Sequence, residues 1–287
     1  MKAYLQLTKP TISFLFAITG MAAMLLESHL NATDPVRFWV IVFAIFLTGG
    51  AANAFNQYFE RDVDKKMART AKKRPLPQGL LTPFQALAFS LSGSIISTFL
   101  LFYYGGILAA ALGVGTILFY SFYYTLWLKP RTPYNIVIGG IAGAMGPLIG
   151  CAAVTGSISW AAFIMFLIIF MWTPPHFWAL AICCKEDYKS VSYPMLPLVV
   201  GDQETRKQIL YYSFVLIPLS ACLHFFIAGS VIYLLGSVLL GSLFLFGAYK
   251  VYHTTVIKTH WQFFAYSIVY LLALFGFLIA DVMYSAA

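Results

Sequence analysis

The chain has 287 residues, of which 61% are hydrophobic and only 10% charged, and its mean hydropathy is +0.81. A soluble domain carries about 25% charged residues, so this balance excludes a water-soluble globular protein and leaves a polytopic membrane protein. The formal net charge of +8 would suit a nucleic-acid partner, but the basic residues fall in loops between apolar runs, where membrane orientation explains them better.

From the N-terminus, MKAYLQLTKP precedes an apolar run from Thr11 to Leu26. A basic flank before an apolar stretch is also the layout of a signal peptide, but no convincing cleavage site follows, so a retained first helix is expected. Further apolar runs cover 38–58, 84–103, 106–127, 134–154, 160–182, 208–228, 230–249 and 262–283. Each can cross about 30 Å of hydrocarbon, which predicts nine transmembrane helices. With the N-terminus and every second loop on one side, that side holds 17 of the 18 lysines and arginines, and only Arg37 lies opposite. The positive-inside rule then predicts an N-inside, C-outside chain. Cys151, Cys183, Cys184 and Cys222 lie in or beside apolar segments without metal-like spacing and read as small core residues.

The two long inner loops, 59–83 and 184–207, put the polar chemistry at the cytoplasmic face. Each has a Pro-Leu segment, a glycine and then a new helix. Thr82, Pro83 and Gln85 read as N-cap, N1 and N3 of one helix, and Asp202 as the cap of the other. The recurrence four helices apart predicts one domain of two related halves, about 1–130 and 131–250, plus a last helix over 262–283.

Residues 53–77, NAFNQYFERDVDKKMARTAKKRPLP, begin as the end of an apolar helix and become the most charged run in the chain. Asn56, Glu60 and Asp64 fall four residues apart, a spacing that drifts only about 40° per step on a helix, so they share one face. Asn53 joins that face and Asp62 points away. Two carboxylates one turn apart repel by roughly 3 kcal/mol at about 5 Å and an effective dielectric near 20. That is about two pKa units, so a proton, nearby lysines or a divalent cation must neutralise them. Oxygen-only donors suit Mg²⁺, which keeps its waters and completes its shell with substrate phosphates. Lys65, Lys66, Arg69, Lys72, Lys73 and Arg74 follow as candidate phosphate partners. An ordinary cytoplasmic loop behind a capped helix end remains the plainer alternative.

In MWTPPHFWALAICCKEDYKS, residues 171–190, Pro174 and Pro175 remove two backbone donors, which predicts a kink or break inside the membrane. His176 follows directly, able to bind a metal, donate to a ligand or satisfy the freed backbone. Lys185 and Asp187 lie further on, at the cytoplasmic edge, in a group that also reads as a solvated face. Of the other histidines, His29, His253 and His260 fall in loops, and His224 in the seventh helix is the other intramembrane candidate.

Taken together, LTKP (7–10), NQYFERDVDKKMART (56–70), KPRTPYNIVIGGIAGAMGPLIG (129–150), WTPPHFWALAI with KEDY (172–188) and PMLPLVVG (194–201) closely resemble the haem-farnesylating UbiA-type intramembrane prenyltransferases. The order and spacing agree from the first helix to the seventh. That superfamily's first aspartate-rich motif, NxxxDxxxD, falls on Asn56, Glu60 and Asp64, with Glu60 replacing the first aspartate. Its second motif, DxxxD, is absent in that form, and Lys185, Glu186 and Asp187 stand there instead. Gly146 stands where the family more often has a second proline before Pro147.

The resemblance implies an all-α polytopic membrane protein with nine helices around a central lipid-facing cavity, in a bacterial inner membrane. It implies farnesyl diphosphate as donor, haem B as acceptor and haem O as product for terminal oxidase assembly, with haem A synthase or oxidase subunits as partners. Asn56, Glu60, Asp64 and His176 would be catalytic. Mg²⁺ would sit on Asn56, Glu60 and Asp64, with Asp187 a further ligand, and the diphosphate on Lys9, Lys72, Lys73, Arg74 and Lys185. Phe119, Tyr120, Tyr123 and Tyr124 offer aromatic faces to a farnesyl cation, or form a packing stripe. His176 would ligate the haem iron or orient the water that completes the reaction. Three alternatives stay open. A prenyltransferase for an aromatic quinone precursor is disfavoured by the missing DxxxD and by TPPH. A secondary transporter would suit a broken helix and repeats, but the acidic residues lie at the cytoplasmic edge. The third is a non-catalytic haem-handling protein.

Overall fold

The computed structural model describes residues 1–28, 34–227 and 231–285, and His29 lies outside them. Among the described residues every regular element is a helix. Eight helical stretches are long and apolar enough to span a membrane: Pro10–Glu27, Pro35–Phe59, Pro83–Leu128, Asn135–Thr155, Trp160–Cys183, Asp202–Phe226, Val231–His253 and Ile257–Tyr284.

The third of these runs 46 residues, about 69 Å at 1.5 Å per residue, more than twice the hydrocarbon thickness. It is folded on itself. Helix α6 (Pro83–Leu100) continues as a π-helical turn, Leu101–Gly105, and meets α7 (Gly106–Leu118) at Gly106, where φ is +84° and ψ is 173°. Only glycine adopts that backbone freely. Both α6 and α7 pack on α3 (Pro35–Phe59). The predicted spans 84–103 and 106–127 meet at this reversal.

Local signals account for several helix ends. Thr82 accepts the Gln85 N–H at 3.2 Å while the Gln85 side chain accepts the Thr82 N–H at 2.9 Å, with Pro83 at the first helical position. The equivalent expectation for Asp202 fails. Gly201, at φ +85°, is the N-cap of α13 (Asp202–Cys222), and Asp202 is its first residue, paired at 2.8 Å with Lys185. A nearby ammonium competes for the carboxylate that would otherwise turn back onto the helix.

Of the kink or break expected at Pro174 and Pro175, a break does not occur: α10 (Trp160–Cys183) runs through both prolines. Both are buried, as are most residues around them, so packing on both flanks stabilises a helix that lacks two backbone bonds. The interruption falls elsewhere. The predicted span 134–154 is two helices, α8 (Asn135–Ala144) and α9 (Gly146–Thr155), joined at Met145. There α9 lies against α2 (Pro10–Ser28) backbone to backbone: a Cβ on Gly150 would run into the Gly20 carbonyl, and one on Gly146 would come within 2.7 Å of the Phe16 carbonyl. Gly146 therefore answers a close approach of this pair.

The main core joins α10 to α8, α13, α14 (Val231–His253) and α15 (Ile257–Ser285), and a second core joins α2, α3, α7 and α9. The two long loops cap one end of the bundle. The first carries α4 (Arg61–Asp64) and α5 (Ala68–Ala71), the second α11 (Lys185–Ser190) and α12 (Leu196–Val199).

Candidate active site

The end of α3 carries the site. Glu60 closes the helix, and α4 follows without a change of register: the Glu60 N–H reaches the Asn56 carbonyl at 2.9 Å and the Asp64 N–H the Glu60 carbonyl at 2.8 Å. Asn56, Glu60 and Asp64 therefore stay on one face as the spacing predicts. All three are buried, Glu60 at 3% and Asp64 at 1% exposure. Asp62 points out and pairs with Lys65 at 3.2 Å.

Three cations converge on this face. Lys9 Nζ donates to Asn56 Oδ1 at 3.0 Å, Arg74 reaches Glu60 at 3.2 Å and also pairs with Asp64, and Lys129 pairs with Glu60. The Asn56 amide donates in turn to Thr125 Oγ1 at 3.1 Å. Burial alone would raise the Glu60 carboxyl, but Lys129 and Arg74 outweigh it and hold it down at about 2. Asp64 has less help: burial and the neighbouring Glu60 charge leave it above the ordinary aspartate value despite Arg74. Burial, followed by the charge of Arg74, pushes Lys9 well below the usual ammonium range.

Each cation is placed by a local device. Lys9 has φ +46°, a rare conformation for a side chain with a Cβ. It occupies the sharp turn between α1 (Lys2–Leu7) and α2, and Gln57 secures that turn by donating to the carbonyls of Gln6 and Leu7 at 3.0 and 2.9 Å. Lys129 follows a ten-residue π-helical segment, Phe119–Leu128, whose wider turns bond the Lys129 N–H to the Tyr124 carbonyl at 2.8 Å. Tyr193 from the second loop lies under its ammonium, 5.1 Å from nitrogen to ring centre.

The expected residues therefore divide. Asn56, Glu60, Asp64, Lys9 and Arg74 come together. Lys72 and Lys73 are exposed. Lys185 is engaged by Asp202, and Asp187 accepts the backbone N–H groups of Ala68 and Arg69 at 3.0 and 3.2 Å, tying the second loop to the start of α5. Asp187 does not join the carboxylates on α3 and α4. Sequence reasoning missed Lys129 as a site residue, although Leu128-Lys129-Pro130 repeats the Lys-Pro step of Lys9-Pro10. It also missed Gln57 and Tyr193. The aromatic stripe is split: Tyr120 and Tyr124 stack at 5.3 Å, while Tyr123 is exposed and stacks on Trp127.

Among the described residues no three His, Cys, Asp or Glu side chains form a ready metal cage. The donors that do converge are all oxygens, two carboxylates and the Asn56 amide. That set fits Mg²⁺ shared with water and phosphate oxygens, and does not fit a fully protein-ligated metal.

His176 lies on α10, seven residues from its end. It is 7% exposed and stacked between Trp172 and Phe264. The alternative candidate His224 is in a 3₁₀ turn, Leu223–Phe226, at the far end of α13 and so away from mid-membrane. A separate apolar groove of about 590 Å³ runs between α3, α6 and α7, past Phe55, Phe99 and Phe122. It carries none of the charged groups.

The UbiA prenyltransferase family model matches residues 14–279. A protoheme IX farnesyltransferase of Symbiobacterium thermophilum is 44% identical over 282 residues, 97% of this chain and 93% of that protein. One of Brucella ovis is 39% identical over 285 residues, 98% and 90%. Among solved structures, digeranylgeranylglyceryl phosphate synthase superposes with a TM-score of 0.80 at 19% identity, covering 99% of this chain and 98% of that one. A UbiA homologue of Archaeoglobus fulgidus bound to DMAPP and Mg²⁺ superposes with a TM-score of 0.72 at 13% identity, covering 96% and 99%. At these identities the structural likeness is one of fold.

Proposed function

The chain belongs to the UbiA prenyltransferase family, and from that premise we propose that it transfers a farnesyl group from farnesyl diphosphate to a vinyl group of haem B, with addition of water, giving haem O. The observation that carries this reading is the convergence of Lys9, Arg74 and Lys129 on Asn56, Glu60 and Asp64. Haem as acceptor follows from relatives 39–44% identical over almost the whole chain.

Heterolysis of the C1–O bond leaves the electron pair on the diphosphate, so catalysis requires positive groups fixed where that charge develops. Lys9, Arg74 and Lys129 hold the phosphate oxygens, exchanging their carboxylate and amide partners for the substrate. Asn56, Glu60 and Asp64 would hold Mg²⁺ together with the diphosphate, and the ion would supply further neutralisation of the leaving group. Lys185, Lys72 and Lys73 take no part beyond attracting the anion to this end of the bundle. Tyr120 and Tyr124 turn aromatic faces toward the allylic cation and help keep water from it. The terminal vinyl carbon of haem bonds to C1, and water captures the cation left beside the porphyrin, losing one proton. His176 sits roughly 10 Å along α10 from its end, a depth suited to a porphyrin lying below the diphosphate.

We take the folded stretch Pro83–Leu128 as two spans, which makes nine, in a single domain of two related halves and a last helix. The chain is N-inside and C-outside in a bacterial inner membrane, with the site at the cytoplasmic face and the product passing to haem A synthase or terminal oxidase subunits. The direct test is the mass of haem extracted from membranes of expressing cells. Haem B plus a farnesyl group and water is expected. Unmodified haem B with a prenylated aromatic, or with no prenylated product, rejects the assignment.

A further inference from the structure

His176 is confined on both faces. Its ring centre lies 4.3 Å from Trp172 at 18° and 4.5 Å from Phe264 at 22°, so the imidazole is clamped between two nearly parallel aromatic planes. On its edge, Nδ1 is 2.6 Å from Ser267 Oγ. That hydroxyl lies 2.6 Å from the Phe264 carbonyl, an oxygen that can only accept. A serine hydroxyl has one proton. Given to Phe264, it leaves only a lone pair toward the ring, so the proton between His176 and Ser267 belongs to Nδ1. The neutral ring then has its own lone pair on Nε2, for which the described residues supply no hydrogen-bond partner. Ser267 is itself fixed, because its backbone carbonyl accepts the indole N–H of Trp172 at 2.8 Å. A histidine that merely satisfied the backbone near Pro174 and Pro175 would turn to that backbone, and this one bonds to α15 instead.

We propose that Ser267 is a positioning residue for the acceptor: it locks the His176 proton on Nδ1 and so directs the Nε2 lone pair at the haem iron. This rests on the reading of haem B as acceptor. Histidines that ligate metals donate their other ring N–H to an oxygen, which fixes the ring and raises the basicity of the ligating nitrogen. Trp172, Phe264 and Ser267 together hold the ring, its tautomer and its free edge before haem arrives.

The test is titration of the purified protein with ferric haem B, reading the Soret band, the electron paramagnetic resonance spectrum and the haem affinity, with farnesyl diphosphate affinity measured in parallel. Ser267→Ala removes only the hydroxyl, because Trp172 bonds the backbone carbonyl and not the side chain. It is expected to weaken haem binding by about 10–100-fold and to change the spectra. Ser267→Thr is expected to restore both, and farnesyl diphosphate affinity is expected to stay unchanged throughout. His176→Ala is expected to lose the histidine-ligated spectrum and regain it with free imidazole. A Ser267→Ala protein with wild-type spectrum and affinity overturns the positioning role. A His176→Ala protein with the wild-type spectrum overturns iron ligation. Failure of the wild-type protein to bind haem while farnesyl diphosphate still binds overturns the acceptor reading itself.

Discussion

Glu60 lies between two cations whereas Asp64 has Arg74 alone, and their protonation differs accordingly. Glu60, held at about 2, contributes stability that is fully present above the pKa of an unfolded glutamate and is lost only as pH falls through that low value. Asp64, raised mainly by burial, costs stability while ionised, and the cost is relieved as pH falls through its raised value. In Mg²⁺-free solution at neutral pH, Glu60→Gln should therefore lower the thermal midpoint, since it leaves the half-buried Lys129 and Arg74 without the carboxylate they share. Asp64→Asn should leave the midpoint unchanged or raise it. Melting curves of the two variants check the contrast, and equal losses would contradict it. Both should reduce farnesyl transfer by about 100-fold or more. Lys129→Met should raise KM for farnesyl diphosphate by about 10–100-fold, the range for a lost hydrogen bond to a charged group. Lys72→Gln and Lys73→Gln should leave KM unchanged, because these side chains face solvent.

Helices α2 and α9 meet through glycine, and the contact has no room for a methyl group. Gly150→Ala should destabilise the protein by about 1–3 kcal/mol, as overpacking of a tight interface does. Gly143→Ala, with nothing within 4 Å of the added Cβ, should be neutral and serves as the control. Detergent melting of the pair measures the difference, and equal midpoints would mean that α2 and α9 can separate freely. Arg37 acts at the same scale. Its guanidinium donates to the carbonyls of Tyr104 and Ala153 at 2.8 and 3.2 Å, near the ends of two neighbouring helices where carbonyls lack intrahelical partners. Arg37→Ala should lower stability and leave turnover per folded molecule unchanged.

At the scale of the bundle, the proposed orientation rests on the basic residues that fall in every second loop of a nine-span chain, and Arg37 departs from it with its guanidinium bound to helix ends. Topology should therefore survive the loss of Arg37. With the native cysteines replaced by serine, Lys73→Cys should react with a membrane-impermeant reagent only from the cytoplasm and Tyr284→Cys only from outside. Labelling of both from one face would reject the nine-span reading. The two long loops also act as a unit, since Asp187 on one holds the backbone of Ala68 and Arg69 on the other. Asp187→Ala should loosen this cap, seen as faster amide exchange around Ala68, without touching Asn56, Glu60 or Asp64.

Membrane class, helical fold and the Asn56, Glu60 and Asp64 face were legible because each depends on composition or on a short period along one helix. Thr82, Pro83 and Gln85 were legible for the same reason, their bonds being local. What required the tertiary structure was pairing across distance. Lys129 meets Glu60 across 69 residues and Ser267 meets His176 across 91, and no periodicity links residues on different helices. Competition was equally hidden: Asp202 pairs with Lys185 and makes no cap bond to its helix, and Asp187, expected as a metal ligand, accepts two backbone N–H groups. The prolines of α10 predicted a kink or break from local chemistry alone, and the helix stays unbroken where the residues around them are buried. The sequence by itself determined which groups each helix offers, through local spacing. The tertiary structure decided which of them meet, because a buried charge or ring nitrogen takes whichever partner the packing of distant helices brings within reach.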